Sequence, residues 1–247
     1  MEKFNIKNKK KRKIIIVPTW RKDIKGTINL INYESIYSRD FIFSTFFNFY
    51  NNLINDKVLL TFMKKYNYTG TLCLHSLFSS QWIDFKQNSI FSVFKKCNYI
   101  KILYENSLLI TDYSSISFDF SFLRKPVIYT HFDYKEYINS HYPEGDFDYN
   151  LYGFGPICKD IQCTINEIIF EISNNCIFRK KYLIRMKKLL LQPKGNYNEN
   201  LLKRLIDNNN DSSPNNEKLI SFFLIFSLTI MASKLQIKRR IFLKLNN

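Results

Sequence analysis

The chain has 247 residues, 45% of them hydrophobic, with 37 Lys and Arg against 21 Asp and Glu, for a net charge of +16. That apolar content fills one core, or one core and a tail. The positive charge alone would admit nucleic acid as a partner. However, it is concentrated in residues 7–13 and the two C-terminal helical stretches, and no zinc finger, RNA-type aromatic motif or basic recognition helix accompanies it, so no nucleic acid is expected.

Residues 1–12 read as a basic lead-in without the apolar core of a signal peptide. Lys13-Ile14-Ile15-Ile16-Val17 is a buried strand stopped by Pro18, and Arg21 follows at its carboxyl end, where a guanidinium can grip a phosphate or pair with a neighbouring carboxylate. Residues 44–65, rich in Phe, Leu and Asn, are expected to form helices covering the sheet. Residues 71–74 form the next strand, ended by His75, and residues 99–103 read as another.

Leu108-Leu109-Ile110 is an apolar run suited to a buried parallel strand. Thr111, Asp112 and Tyr113 turn the chain, and Ser114 and Ser115 offer helix N-caps. Alternation through Ile116, Phe118, Phe120 and Phe122 suggests a strand. The serine caps and the terminating Arg124-Lys125-Pro126 favour a helix instead. Val127-Ile128-Tyr129 is then a strand, with His131 just beyond it, and Asp133 opens a short helix. In such a β-turn-α-β unit the turn faces the ligand-binding edge of the sheet. Ser114 and Ser115 can donate hydroxyls to an anion there. Asp119, one turn on, can accept from a ribose, or it can be a solvated carboxylate.

Residues 147–156 read as an aromatic loop in which Gly153 and Gly155 permit a tight course near a ligand. Residues 160–174 have helical periodicity, residues 178–191 form a basic amphipathic helix, and residues 196–206 a last helix. A polar linker, 207–217, precedes an apolar and basic tail, 218–247. Its apolar run at 219–233 is short for a spanning helix and suits a membrane surface or an oligomer contact. The five cysteines, Cys73, Cys97, Cys158, Cys163 and Cys176, are irregularly spaced and are expected to be reduced; no metal set emerges.

Four ordered motifs carry a resemblance. TDYSSISFDFSFLRKPVIYTHFDYKEY resembles the signature of the CDP-glycerol glycerophosphotransferases of teichoic acid and related cell-surface polymer synthesis. KIIIVPTWR, LCLH and YPEGDFDYNLYGFGPICK match further family segments in order and spacing, over roughly residues 13–205. Where the family usually has His-Pro, this chain has His75-Ser76.

The fold expected from the alternation of strands and helices is α/β, with a Rossmann-like, mostly parallel sheet over residues 13–206. The resemblance makes it the C-terminal, nucleotide-binding half of a GT-B type transferase. The family's first domain, and with it a catalytic base, has no counterpart before Lys13. The resemblance implies transfer of glycerol phosphate from CDP-glycerol to a hydroxyl of a cell-surface polymer, releasing CMP. The acceptor polymer is free or lipid-linked, and no cofactor or metal is expected. His75 would be catalytic, and Arg21, Thr111, Asp112, Ser114, Ser115 and Asp119 would bind substrate. It further implies a cytoplasmic protein, peripheral on the inner face of the cell membrane. A sugar-nucleotide glycosyltransferase, a ribitol-phosphate transferase and a non-catalytic nucleotide-binding remnant are the alternatives.

Overall fold

In the computed structural model the described residues are 12–24, 36–140 and 147–190. They all lie in the first of two compact units, residues 1–192. Six strands form one sheet: β1 (Lys13–Val17), β2 (Thr69–Cys73), β3 (Phe91–Phe94), β4 (Leu108–Thr111), β5 (Val127–Thr130) and β6 (Ile157–Cys158). Their order is β3-β2-β1-β4-β5-β6, and every pairing is parallel.

Strand alternation sorts the apolar residues onto two faces. Ile14, Ile16, Leu72, Leu108, Ile110 and Ile128 enter one core, together with α1 (Thr45–Ile54), α2 (Lys57–Lys65) and α7 (Ile161–Ser173). Ile15, Leu109, Val127 and Tyr129 enter the other, with α3 (Tyr99–Glu105) and α4 (Ile116–Phe122). Burial on both faces explains why β1 and β4 read as unbroken apolar runs. The phenylalanine-rich stretch forms α1 and α2 as expected. Ser44 caps the first, accepting from Phe47 N at 3.1 Å, and Asp56 caps the second, accepting from Leu59 N at 2.8 Å.

Residues 99–103 are helical, within α3, where a strand was expected. The Asn98 side chain accepts from Lys101 N at 3.2 Å and starts the helix. The strand that precedes it is β3, whose Phe91 and Val93 point inward while Ser92 and Phe94 are exposed.

The organising stretch is β4, α4, β5, as expected. α4 carries alternating apolar residues without being a strand, because Ser117 and Ser121 are as buried as Ile116, Phe118 and Phe120. Its hydroxyls bond back to the carbonyls of Ser114 and Phe118. The helix ends in paired turns, Lys125 N to Phe120 O at 3.0 Å and Arg124 N to Ser121 O at 2.8 Å. Arg124 holds the left-handed position at φ 55°. α5 (Tyr134–Ser140) and α6 (Tyr149–Tyr152) follow β5, and α8 (Lys180–Leu190) closes the described chain.

Sequence order reverses direction across the sheet between β1 and β4. The connections leaving their carboxyl ends therefore diverge and open a crevice, the usual ligand position in such sheets.

Candidate functional site

At the crevice the hydrogen bonds of β4 reach across to β1. Thr111, the last residue of β4, donates its hydroxyl to Val17 O at 2.6 Å and joins β4 to β1. Asp112 follows, wholly buried. Its Oδ1 accepts from Thr19 N at 2.8 Å and Tyr113 N at 2.7 Å, so one carboxylate oxygen holds both loops. Its Oδ2 accepts from Arg21 Nη2 at 2.8 Å. Arg21 also donates to both oxygens of Asp133, at 2.6 and 3.1 Å, and from Nη1 to Thr19 O at 2.6 Å.

Arg21 is only 3% exposed. Burial pulls its pKa down, but Asp112, then Asp133, more than offset this and leave it raised. The guanidinium also lies 5.2 Å from the Tyr113 ring centroid and 4.8 Å from that of Tyr137. Arg21 and Asp112 thus lock three loops at the sheet edge, and neither presents free donors to solvent.

Beside this lock lies a cavity of about 550 Å³ bounded by the loops after β1, β2, β3 and β4. His75, Ser114, Ser115, Trp20, Lys95 and Lys96 line it. The structure thus brings His75 together with both serines. Ser115 is exposed and its hydroxyl caps no backbone N–H, while Ser114 Oγ makes only a 3.5 Å contact with Ile116 N. Thr19 Oγ1, in the same wall, is buried without a hydrogen-bond partner, as groups awaiting a ligand can be.

His75 is exposed at the carboxyl end of β2 and begins a 3-10 segment, Ser76–Asp84. Its Nδ1 accepts from Leu77 N at 3.2 Å. That bond requires a bare Nδ1 and puts the proton on Nε2. Burial lowers the pKa of the ring, which further favours the neutral form. His75 is therefore built to donate a hydrogen bond from Nε2.

Asp119 does not line this cavity. It lies on α4 and accepts a short hydrogen bond from Tyr99 OH. Burial raises the pKa of both groups. Lys95 and Lys96, the basic pair in the cavity wall, were not singled out from sequence. Their strand, β3, was unassigned, so nothing placed them at the ligand-binding edge. Cys73 and Cys97 form a disulfide in that wall, with Cα atoms 6.1 Å apart. This corrects the expectation that all five cysteines are reduced. Parallel pairing of β2 with β3 brings together two cysteines 24 residues apart that have no recognisable spacing.

The family model for CDP-glycerol:poly(glycerophosphate) glycerophosphotransferases matches residues 1–207. The chain belongs to this family. Among the glycerophosphotransferases' curated relatives, it is 30% identical over 206 residues to the minor teichoic acid biosynthesis protein GgaB of Bacillus subtilis (strain 168). The match covers 83% of this chain and 22% of GgaB. It is 37% identical over 96 residues to the teichoic acid poly(ribitol-phosphate) polymerase of Bacillus spizizenii, covering 38% of this chain and 14% of that one. A solved structure of a variant of the wall teichoic acid polymerase TagF superposes with TM-score 0.52 at 17% identity, over 82% of this chain and 44% of that one. This likeness bears out the α/β fold. The chain spans less than half the length of each of these glycerophosphotransferase relatives. Among the described residues no helix is long and apolar enough to cross a membrane, and the apolar run at 219–233 lies outside them.

Proposed function

We propose that the cavity at the β1/β4 crevice holds the diphosphate of CDP-glycerol, and that the chain is the donor-binding half of a glycerol-phosphate transferase of cell-surface polymer synthesis. The observation that carries this reading is the convergence of the His75 Nε2–H, the hydroxyls of Ser114 and Ser115, and Lys95 and Lys96 on one cavity. Hydrogen-bond donors and cations from three separate loops suit a diphosphate. Ser114 and Ser115 meet the anion through their hydroxyls. Arg21, Thr111 and Asp112 act behind them, fixing the loops that carry the contacts. Asp119 and Tyr99 flank the α4 side, where a ribose would lie.

In the reaction, an acceptor hydroxyl attacks the glycerol-bearing phosphorus, a new P–O bond forms, and the bond to the CMP oxygen breaks. Negative charge grows on the departing CMP phosphate. Neutral His75 stabilises it by hydrogen bonding rather than by giving up a proton, because protonating Nδ1 would break the bond from Leu77 N. The hydroxyl proton goes to a base on the acceptor side. The described residues form a single Rossmann-like sheet, and a GT-B transferase closes its cleft between two. Transfer is therefore expected only when the partner domain is supplied.

The test is a transfer assay on a glycerol-phosphate primer with the 247-residue chain, alone and mixed with the first domain of a related enzyme. The mixture should transfer and the chain alone should not, and His75→Ala should abolish the restored activity. Full activity of His75→Ala would remove this histidine from the chemistry.

A further inference from the structure

A second cavity, of about 720 Å³, lies at the carboxyl edge of β5 and β6 and takes no part in the donor site. His131, at the end of β5, stands in its wall and is 7% exposed. Its Nε2 is buried without a hydrogen-bond partner. Burial holds the ring neutral, and a neutral imidazole carries one N–H donor and one bare acceptor nitrogen. A hydroxyl, which can both donate and accept, satisfies Nε2 in either tautomer.

The rest of the wall describes what carries that hydroxyl. Tyr134 and Tyr149 offer ring faces and edges to aliphatic C–H groups, with the His131 ring stacked near-parallel to Tyr134 at 5.9 Å. Lys135 and Lys159 are exposed cations in the same wall. Of its three carboxylates, Asp133 is paired with Arg21, Glu136 accepts from Thr45 at 3.0 Å and Asp148 caps α6. All three are thus engaged within the protein, whereas the lysines can meet an anion. Hydroxyls, a C–H backbone and a phosphodiester charge together describe a polyol-phosphate chain. The cavity also lies one ring from the donor site: His131 stacks on Tyr113 at 4.6 Å, and Tyr113 lines the donor cavity.

We propose that this second cavity binds the end of the polyol-phosphate acceptor, with His131 Nε2 hydrogen-bonded to one of its hydroxyls. The proposal rests on the donor-site reading for the identity of the acceptor, and its test separates the two. The full chain is titrated by calorimetry with a synthetic glycerol-phosphate trimer and, separately, with CDP-glycerol. The ¹⁵N shift of His131 Nε2 is followed in the same samples. The trimer should bind and move that nitrogen signal. His131→Phe should weaken trimer binding by about tenfold, the loss of one buried hydrogen bond. Lys159→Ala, an exposed substitution that leaves the core intact, should weaken it severalfold. CDP-glycerol affinity should be unchanged in both variants. Absence of trimer binding while CDP-glycerol still binds would overturn the acceptor site alone, as would an unmoved Nε2 signal or trimer binding insensitive to both substitutions. Failure of CDP-glycerol to bind would instead count against the donor reading.

Discussion

At the residue scale, the crevice separates side chains that meet a ligand from side chains that hold the loops. Ser115 belongs to the first kind, exposed and capping nothing. Ser115→Ala is expected to weaken CDP-glycerol binding by about 1–2 kcal/mol by calorimetry, the scale of a lost hydrogen bond to a charged group. Arg21 belongs to the second kind. Arg21→Ala strands two buried carboxylates and is expected to cost about 3–5 kcal/mol of stability in urea unfolding. A loss below about 1 kcal/mol would mean that the lock is not structural. His131 adds a pH dependence. Burial, ahead of any charge, pushes its pKa from 6.5 down to about 4. The unfolded chain therefore takes up a proton that the folded chain refuses, and stability falls as pH drops from 6.5 towards 4. Asp133 and Glu171, raised by burial, act in the opposite sense, so the comparison is with His131→Phe. Between pH 7 and pH 4.5 the parent should lose roughly 2 kcal/mol more than the variant.

At the element scale, Gly155 lets the segment before β6 pass close against β5. A Cβ there would lie 1.8 Å from Val127 O, a backbone atom that cannot rotate away. Gly155→Ala should therefore displace β6 from β5 and lower the thermal midpoint by several degrees. An unchanged midpoint would show that the strand edge yields freely. Gly153 and Gly155 suggest a tight course near a ligand, but at Gly155 the close neighbour is the β5 backbone. β1, β4 and β5 were legible because burial on both faces leaves unbroken apolar runs. β3 was hidden because only two of its four residues face inward, and β6 has only two residues. α3 resembled a strand until its cap was visible. The site was legible where motifs carried it, at His75, Ser114 and Ser115. Lys95, Lys96, Thr19 and the Cys73–Cys97 bond join it only through strand order, which no local spacing encodes. Arg21 showed its position in the sequence but not its partners, since Asp112 and Asp133 lie 91 and 112 residues away.

At the scale of the whole molecule, the parallel sheet offers two cavities on one edge, joined through the rings of Tyr113 and His131. On the reading proposed above, one cavity takes the nucleotide donor and the other the polymer end. Ribitol phosphate in place of glycerol phosphate leaves the diphosphate contacts unchanged, so the competing donors must be distinguished by titration. The deciding measurement is a calorimetric titration of the full chain with CDP-glycerol, CDP-ribitol, CMP and a UDP-sugar. CDP-glycerol is expected to bind more tightly than CMP and to lose affinity in Ser115→Ala, with the UDP-sugar weakest of the four. Equal affinity for CMP and CDP-glycerol, or tighter binding of the UDP-sugar, would contradict a glycerol-phosphate donor site at the β1/β4 crevice.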